Sequence, residues 1–188
     1  AALRVGGSLQ DLVSYDAPGD DRRAPFAGCP AFRARPQDRI AFEGGCLPLE
    51  LYDALDDLAL RAGAPLVFGL SGLHGKTRAY GGCAKAQRCG GKEGEACPPC
   101  WTGAWSPTAG GARALLRRAR KRADEGRSAL AAVSLGNELC GAGGIAAHLT
   151  PEDVAADFRA LDGELDAIWF PRPADAFPRL ALPPSRGR

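Results

Sequence analysis

The sequence predicts an α/β fold built on a parallel sheet, and two observations carry that prediction. Four short apolar runs, at 3–5, 66–70, 131–135 and 180–182, show little alternation of polar and apolar residues, as strands covered on both faces must. Between successive runs lies a segment with helical spacing, so the order reads β-α-β-α-β-α-β and calls for right-handed crossovers.

The elements follow from local signals. Leu3-Arg4-Val5 runs into Gly6-Gly7, a turn. From Pro48 to Ala62, the residues Leu51, Leu55, Leu58 and Ala62 fall at helical spacing and are expected to face the core. Asp53, Asp56, Asp57 and Arg61 take the other side. Gly63 stands where a C-terminal cap belongs, and Pro65 prevents continuation. A second helix is expected over 111–127, with Ala112, Leu115, Leu116, Ala119 and Ala123 on its apolar side. Its basic residues Arg113, Arg117, Arg118, Arg120, Lys121 and Arg122 cover nearly every other angle, which fits a solvated face; a polyanion patch is the alternative. Thr150 can cap a third helix, with Pro151 in its first turn and Asp153 at capping-box spacing. Val154, Phe158, Leu161, Leu165 and Ile168 form its expected core stripe.

Two stretches, 12–47 and 72–110, lack a clear period and are rich in Gly. Both follow the C-terminal end of a strand, where parallel α/β folds build their ligand sites, whether the sheet closes into a barrel or stays open. The phosphate fingerprint of a doubly wound sheet is missing, since Gly6-Gly7-Ser8-Leu9-Gln10 does not fit G-x-G-x-x-G.

Bulk composition narrows the function. The chain of 188 residues suffices for one domain, and its net charge of +2 argues against a nucleic-acid binder. No run of about 18 apolar residues is present to span a membrane. The chain opens with a strand already under way, so any signal segment is expected outside it.

Chemistry concentrates after the strands. Glu138, in Ser134-Leu135-Gly136-Asn137-Glu138, stands at the tip of the third apolar run. A carboxylate held there and partly buried is suited to general acid work, because burial raises its pKa toward the working pH. Asn137 beside it can hydrogen-bond a sugar hydroxyl. The alternative is a plain polar turn. After the first run, Gly6 and Gly7 would let backbone approach a ligand and Asp11 could accept hydrogen bonds from it; a tight turn with Asp11 as a helix cap is the alternative.

Seven cysteines leave at least one unpaired within the chain. Cys83, Cys89, Cys97 and Cys100 lie within one Gly-rich stretch, where Cys97-Pro98-Pro99-Cys100 has zinc-knuckle spacing. Local disulfides or free thiols are the reading preferred here, with no metal. Cys140 with His74 or His148 makes a Cys-His alternative that no spacing favours. His74 is expected near the cleft and His148 in solvent.

Four stretches together resemble glycoside hydrolase family 79, the heparanase-like endo-β-glucuronidases: residues 3–11 (Leu3-Arg4-Val5-Gly6-Gly7-Ser8-Leu9-Gln10-Asp11), Gly45-Cys46-Leu47, Val67-Phe68-Gly69-Leu70, and residues 134–139 ending in Asn137-Glu138-Leu139. Trp101-Thr102-Gly103-Ala104-Trp105 resembles a stretch of the plant branch. The resemblance implies a partial (β/α)8 barrel over 1–188, holding strands two to five, with a Cys/Gly-rich insert at about 72–110. It implies Glu138 as proton donor, with Asn137, Asp11 and Gly7 at the subsite for the sugar being cleaved. Cys29 and Cys46 match cysteines of the plant branch and are candidates to staple the first long loop. Cofactors are not implied.

The implied activity is retaining hydrolysis of β-linked glucuronic acid in a polysaccharide or proteoglycan glycan. Retention needs a second carboxylate, and Glu152 and Glu164 sit on the third helix away from the strand tips. The nucleophile, the first strand and strands six to eight are thus expected outside this chain, which alone would be inactive. A secreted or vacuolar-lysosomal location follows from the resemblance, with peripheral membrane or matrix contact through the basic helix. A non-catalytic carbohydrate-binding remnant, or a zinc module built on Cys83–Cys100, are the alternatives.

Overall fold

The computed structural model describes residues 1–15, 29–34, 44–79, 100–139, 145, 147–169 and 179–180. In chain order these form β1 (Leu3–Val5), a 3₁₀ turn over Ser8–Leu12, β2 (Val13–Tyr15), β3 (Gly45–Leu47) and α1 (Leu49–Arg61). Next come β4 (Leu66–Leu70), β5 (Thr77–Ala79), β6 (Cys100–Thr102), a 3₁₀ turn at Ala109–Gly111 and α2 (Ala112–Asp124). The order closes with β7 (Leu130–Leu135), α3 (Pro151–Trp169) and β8 (Arg179–Leu180).

Strands β1, β4, β7 and β8 lie side by side in that order, all parallel. Order in the sheet therefore follows order in the sequence, as crossovers wound in one direction produce. The reversal that defines a doubly wound sheet does not occur among these four strands. This mixed α/β arrangement fits a segment of a barrel-like domain. Of the fourth apolar run only Leu180 lies in the described strand; Ala181 and Leu182 are outside the described residues.

The two stretches expected to lack regular structure contain some. β2 pairs with β3 in parallel, Val13 opposite Gly45 and Tyr15 opposite Leu47. β5 and β6 form an antiparallel ribbon, Thr77 opposite Thr102. Strands of three residues are too short to show a period, so their pairing is a tertiary event.

Helix α1 corrects the expected stripe. Its buried residues are Leu49, Tyr52, Asp56 and Ala59, whereas Leu51 and Leu58 are 48% and 52% exposed and Ala62 is exposed. The helix is turned toward the acidic face because α2 offers that face partners. Arg122 Nε donates to Asp56 Oδ2 at 2.8 Å and also pairs with Asp57, and Arg118 Nε reaches Asp53 at 3.1 Å. Tyr52 fills the core edge-on against Phe68, ring centroids 5.3 Å apart. The end of α1 is as expected: Gly63 at φ 60 follows the cap, Gly63 N donates to Leu60 O, and Ala64 N donates to Ala59 O, a Schellman closure.

The solvated-face reading of α2 is likewise corrected in part. Arg122 is buried, Arg118 binds Asp53, and Arg113 forms a forked pair with Glu164 of α3 at 2.6 and 2.7 Å. Half of the basic cluster thus ties neighbouring helices together. The apolar side of α2 buries Ala112, Leu115, Leu116 and Ala119 as expected, while Ala123 is exposed. On α3, Leu161 and Leu165 are buried and Val154, Phe158 and Ile168 are partly buried. Thr150 caps it: its Oγ1 accepts from Asp153 N at 3.1 Å and donates to Asp153 Oδ2 at 2.8 Å. Among the described residues no helix is long and apolar enough to cross a membrane.

Candidate active site

The C-terminal tips of β1, β4 and β7 are joined by buried polar groups. Leu70 O, at the end of β4, accepts from both Gln10 Nε2 (3.1 Å) and Gly136 N (2.9 Å). Gln10 reaches that position only because two glycines lack side chains. A Cβ on Gly69 would stand 2.1 Å from Gln10 Oε1, and one on Gly6 would stand 2.5 Å from it. The same Oε1 accepts from Gly7 N at 3.1 Å, which closes the 3₁₀ turn. Gly7 itself has φ 138, a conformation L side chains rarely adopt, with open space around its Cβ position. Its glycine is thus a requirement of the turn.

Asp11 is 3% exposed and bridges the other two tips. Its Oδ1 accepts from Gly72 N at 2.8 Å, beyond β4, and its Oδ2 from Asn137 N at 2.8 Å, beyond β7. Ser71 Oγ adds a bond to Asp11 O at 3.1 Å. Burial pushes the Asp11 carboxyl up to about 6, against the two amide hydrogen bonds that pull it down. Neither the open sugar acceptor nor the simple helix cap expected of Asp11 is what the geometry shows. Both oxygens hold backbone.

Asn137 and Glu138 follow directly. Asn137 N is held by Asp11, and Asn137 Oδ1 accepts from the Arg4 guanidinium of β1 at 3.0 Å. Gly136 turns the chain out of β7 with φ 70, and Glu138 is the single non-glycine residue of positive φ among the described residues, at φ 46. That conformation costs an L residue about 1–2 kcal/mol and persists where surrounding contacts over-determine it. Here those contacts are Leu70 O, Asp11 and Arg4. The Glu138 side chain is exposed, where partial burial was expected, because the turn lifts it clear of the sheet.

A second buried network fixes the adjoining segment. Lys76 Nζ pairs with Asp157 Oδ2 of α3 at 2.8 Å and donates to Gly103 O at 2.7 Å. Trp105 N donates to Asp157 Oδ1 at 2.9 Å, and Trp105 Nε1 donates to Ser71 O at 2.9 Å. Through Ser71, this network abuts Asp11.

The remaining candidates divide. Cys29 and Cys46 are joined in a disulfide, Cα–Cα 4.9 Å, that ties the segment before β3 to that strand. Cys83, Cys89, Cys97 and Cys140 lie outside the described residues. Cys100 opens β6. No group of three metal-binding side chains occurs among the described residues. His74 packs edge-on against Tyr15 at 6.2 Å, and burial holds its imidazole below the ordinary value. A Cβ on Gly110 would stand 2.1 Å from that ring, so Gly110 makes room for it. His148 is half-buried, and its carbonyl accepts from Trp101 N at 3.0 Å. Glu164 is committed to Arg113, and Glu152 is exposed in the first turn of α3.

Sequence reading missed Arg4, Gln10 and Ser71 as members of this site. Their partners lie 133, 60 and 60 residues away, so no local pattern reports them.

Residues 1–180 match the family model "Glycosyl hydrolase family 79, N-terminal domain". Heparanase-like protein 3 of Arabidopsis thaliana is 30% identical over 167 residues, which is 89% of this chain and 26% of that protein. Heparanase-like protein 2 of Arabidopsis thaliana is 35% identical over 79 residues, 42% of this chain and 14% of that protein. Baicalin-beta-D-glucuronidase of Scutellaria baicalensis is 29% identical over 168 residues, 89% of this chain and 29% of that protein. The chain thus spans less than a third of the length of these relatives.

Proposed function

The chain belongs to glycosyl hydrolase family 79, and from that membership we propose that it carries the acid/base half of a glycosidase acting on β-linked glucuronic acid. The observation that carries the proposal is the brace on the segment before Glu138. Three independent contacts fix Gly136 and Asn137, and the next residue bears a carboxylate in a conformation that costs free energy. A general acid must be held against the glycosidic oxygen, and a braced strand tip supports that role for the residue that follows it.

In this reading Glu138 delivers its proton to the leaving oxygen and later accepts one from water. Asn137 binds a hydroxyl of the sugar being cleaved. Among the described residues, Asp11 and Glu138 are the carboxylates beyond the tips of the main-sheet strands, and Asp11 has both oxygens on backbone amides. The nucleophile that retention requires, about 5–5.5 Å from the acid, is therefore not among the described residues; in this reading it belongs to another strand tip of a (β/α)8 barrel.

A glucuronic-acid-containing polysaccharide or proteoglycan glycan is the proposed substrate class; the name of the Scutellaria relative, a β-D-glucuronidase, supports the sugar. The Cys29–Cys46 disulfide supports an oxidising compartment, secreted or vacuolar-lysosomal. Peripheral membrane contact through α2 has less to rest on, since Arg113, Arg118 and Arg122 are spent on carboxylates of α1 and α3.

The deciding experiment uses a form of the protein that hydrolyses methyl β-D-glucuronide, whose alkoxide leaving group departs only with a proton. There Glu138→Gln should cut kcat by orders of magnitude and leave KM nearly unchanged. Full activity in the variant would remove Glu138 from the role. Glucuronide binding without turnover in every form would favour a carbohydrate-binding remnant.

A further inference from the structure

We propose that Arg4 is a positioning residue that sets which edge of the Asn137 carboxamide faces a ligand, so that the site recognises a sugar hydroxyl as a hydrogen-bond acceptor. The inference rests on the reading of Asn137 and Glu138 given above and adds a residue and a polarity to it.

The argument is one of donors and acceptors. A guanidinium carries donors and no acceptor, so the atom of Asn137 that meets Arg4 Nη2 at 3.0 Å must be its oxygen. With Oδ1 committed, Nδ2 and its two hydrogens lie on the opposite edge. Among the described residues no acceptor bonds to them. The backbone of Asn137 cannot turn to exchange the two edges, because its N–H is fixed on Asp11 Oδ2 at 2.8 Å. Rotation of the side chain by half a turn would set Nδ2–H against the guanidinium, donor against donor. The edge that remains offers donors only, and on the functional reading given above the acceptor it meets is the hydroxyl oxygen adjacent to the bond that Glu138 addresses.

The test uses this 188-residue chain and two variants that differ in donor character. Lys at position 4 is donor-only, like Arg, whereas Gln offers both a donor and an acceptor. In Arg4→Gln the Asn137 side-chain amide should populate both orientations, so its ¹⁵N–¹H pair should shift, broaden or double. Arg4→Lys should keep one pair near the wild-type position. A role in strand packing alone would not separate the two substitutions in that order. An unchanged Asn137 pair in Arg4→Gln, or the same change in both variants, would overturn the proposal.

Ligand recognition is read separately with methyl β-D-glucuronide and its 2-deoxy analogue. Wild type and Arg4→Lys should bind the parent about tenfold more tightly than the analogue, as one hydrogen bond allows, and Arg4→Gln should lose most of that ratio. Equal binding of the two glycosides by wild type would overturn the ligand half of the proposal. Failure of any glucuronide to bind would overturn both that half and the functional reading it rests on, while the amide spectra would still decide the role of Arg4.

Discussion

Arg122 of α2 and Asp56 of α1 form a buried ion pair, Nε to Oδ2 at 2.8 Å, with their side chains 5% and 0% exposed. The other Asp56 oxygen accepts from Ala129 N at 2.7 Å, just before β7, and Arg122 donates to Arg127 O at 2.8 Å. One pair thus joins two helices and the entry to a strand. Asp56→Ala would leave a buried guanidinium short of its partner and unsatisfy Ala129 N. Loss of about 3–5 kcal/mol is expected, read as a lowered urea midpoint at constant slope. Replacing both residues by Leu and Met should recover only the part due to the unpaired charge, because Ala129 N and Arg127 O stay without their partners.

Lys76 and Asp157 pose the same problem closer to the site. With Lys76→Met, Asp157 keeps its bond to Trp105 N but loses its counter-charge in a buried position. A loss of about 3–5 kcal/mol is again expected. Because Trp105 Nε1 hangs on Ser71 O, tryptophan fluorescence of the folded variant should also shift.

Asp11 predicts a pH dependence of definite sign. Its folded-state value of about 6 lies above its ordinary 3.8, so the folded chain binds the proton more tightly than the unfolded one. Its contribution to stability is fully present below about 3.8 and is lost as pH rises through about 6, a change of about 3 kcal/mol at most. Urea midpoints measured from pH 4 to 7 should show this fall, and Asp11→Ser should remove that component. A backbone amide signal of Gly72 or Asn137 that titrates near the same pH would identify the group.

Gly69→Ala tests the seat of Gln10. The new methyl would stand 2.1 Å from Gln10 Oε1 and 2.6 Å from its Cδ, so Gln10 must leave Leu70 O and Gly7 N. Loss of those buried bonds should cost about 1–3 kcal/mol, and amide exchange at Gly7 should speed up. Gly63→Ala, at the cap of α1 with open space around it, should show a cost from backbone conformation alone.

Cys29 and Cys46 are separated by 17 positions, and their cross-link restricts the unfolded chain. Cys46→Ser should lower stability by about 3 kcal/mol, measured against wild type under non-reducing conditions. Wild type treated with a reductant should approach the variant.

The sequence by itself determined the elements whose cause is local. A strand covered on both faces has to be an apolar run, so β1, β4 and β7 could be placed to within a residue. Caps are local too, and Gly63 and Thr150 end and begin helices as their chemistry demands. The position of Glu138 just past β7 was readable for the same reason. Tertiary structure alone decided which face of α1 turns inward, because Leu51 and Leu58 make as good a stripe as Tyr52 and Ala59 until Arg122 supplies a partner for Asp56. It also decided that β2 pairs with β3, that Asp11 holds backbone amides, and that Arg4 meets Asn137 across 133 residues of sequence. Hydrophobic periodicity records how a residue meets its own helix or strand; the partner of a charged group is set by what another segment brings beside it.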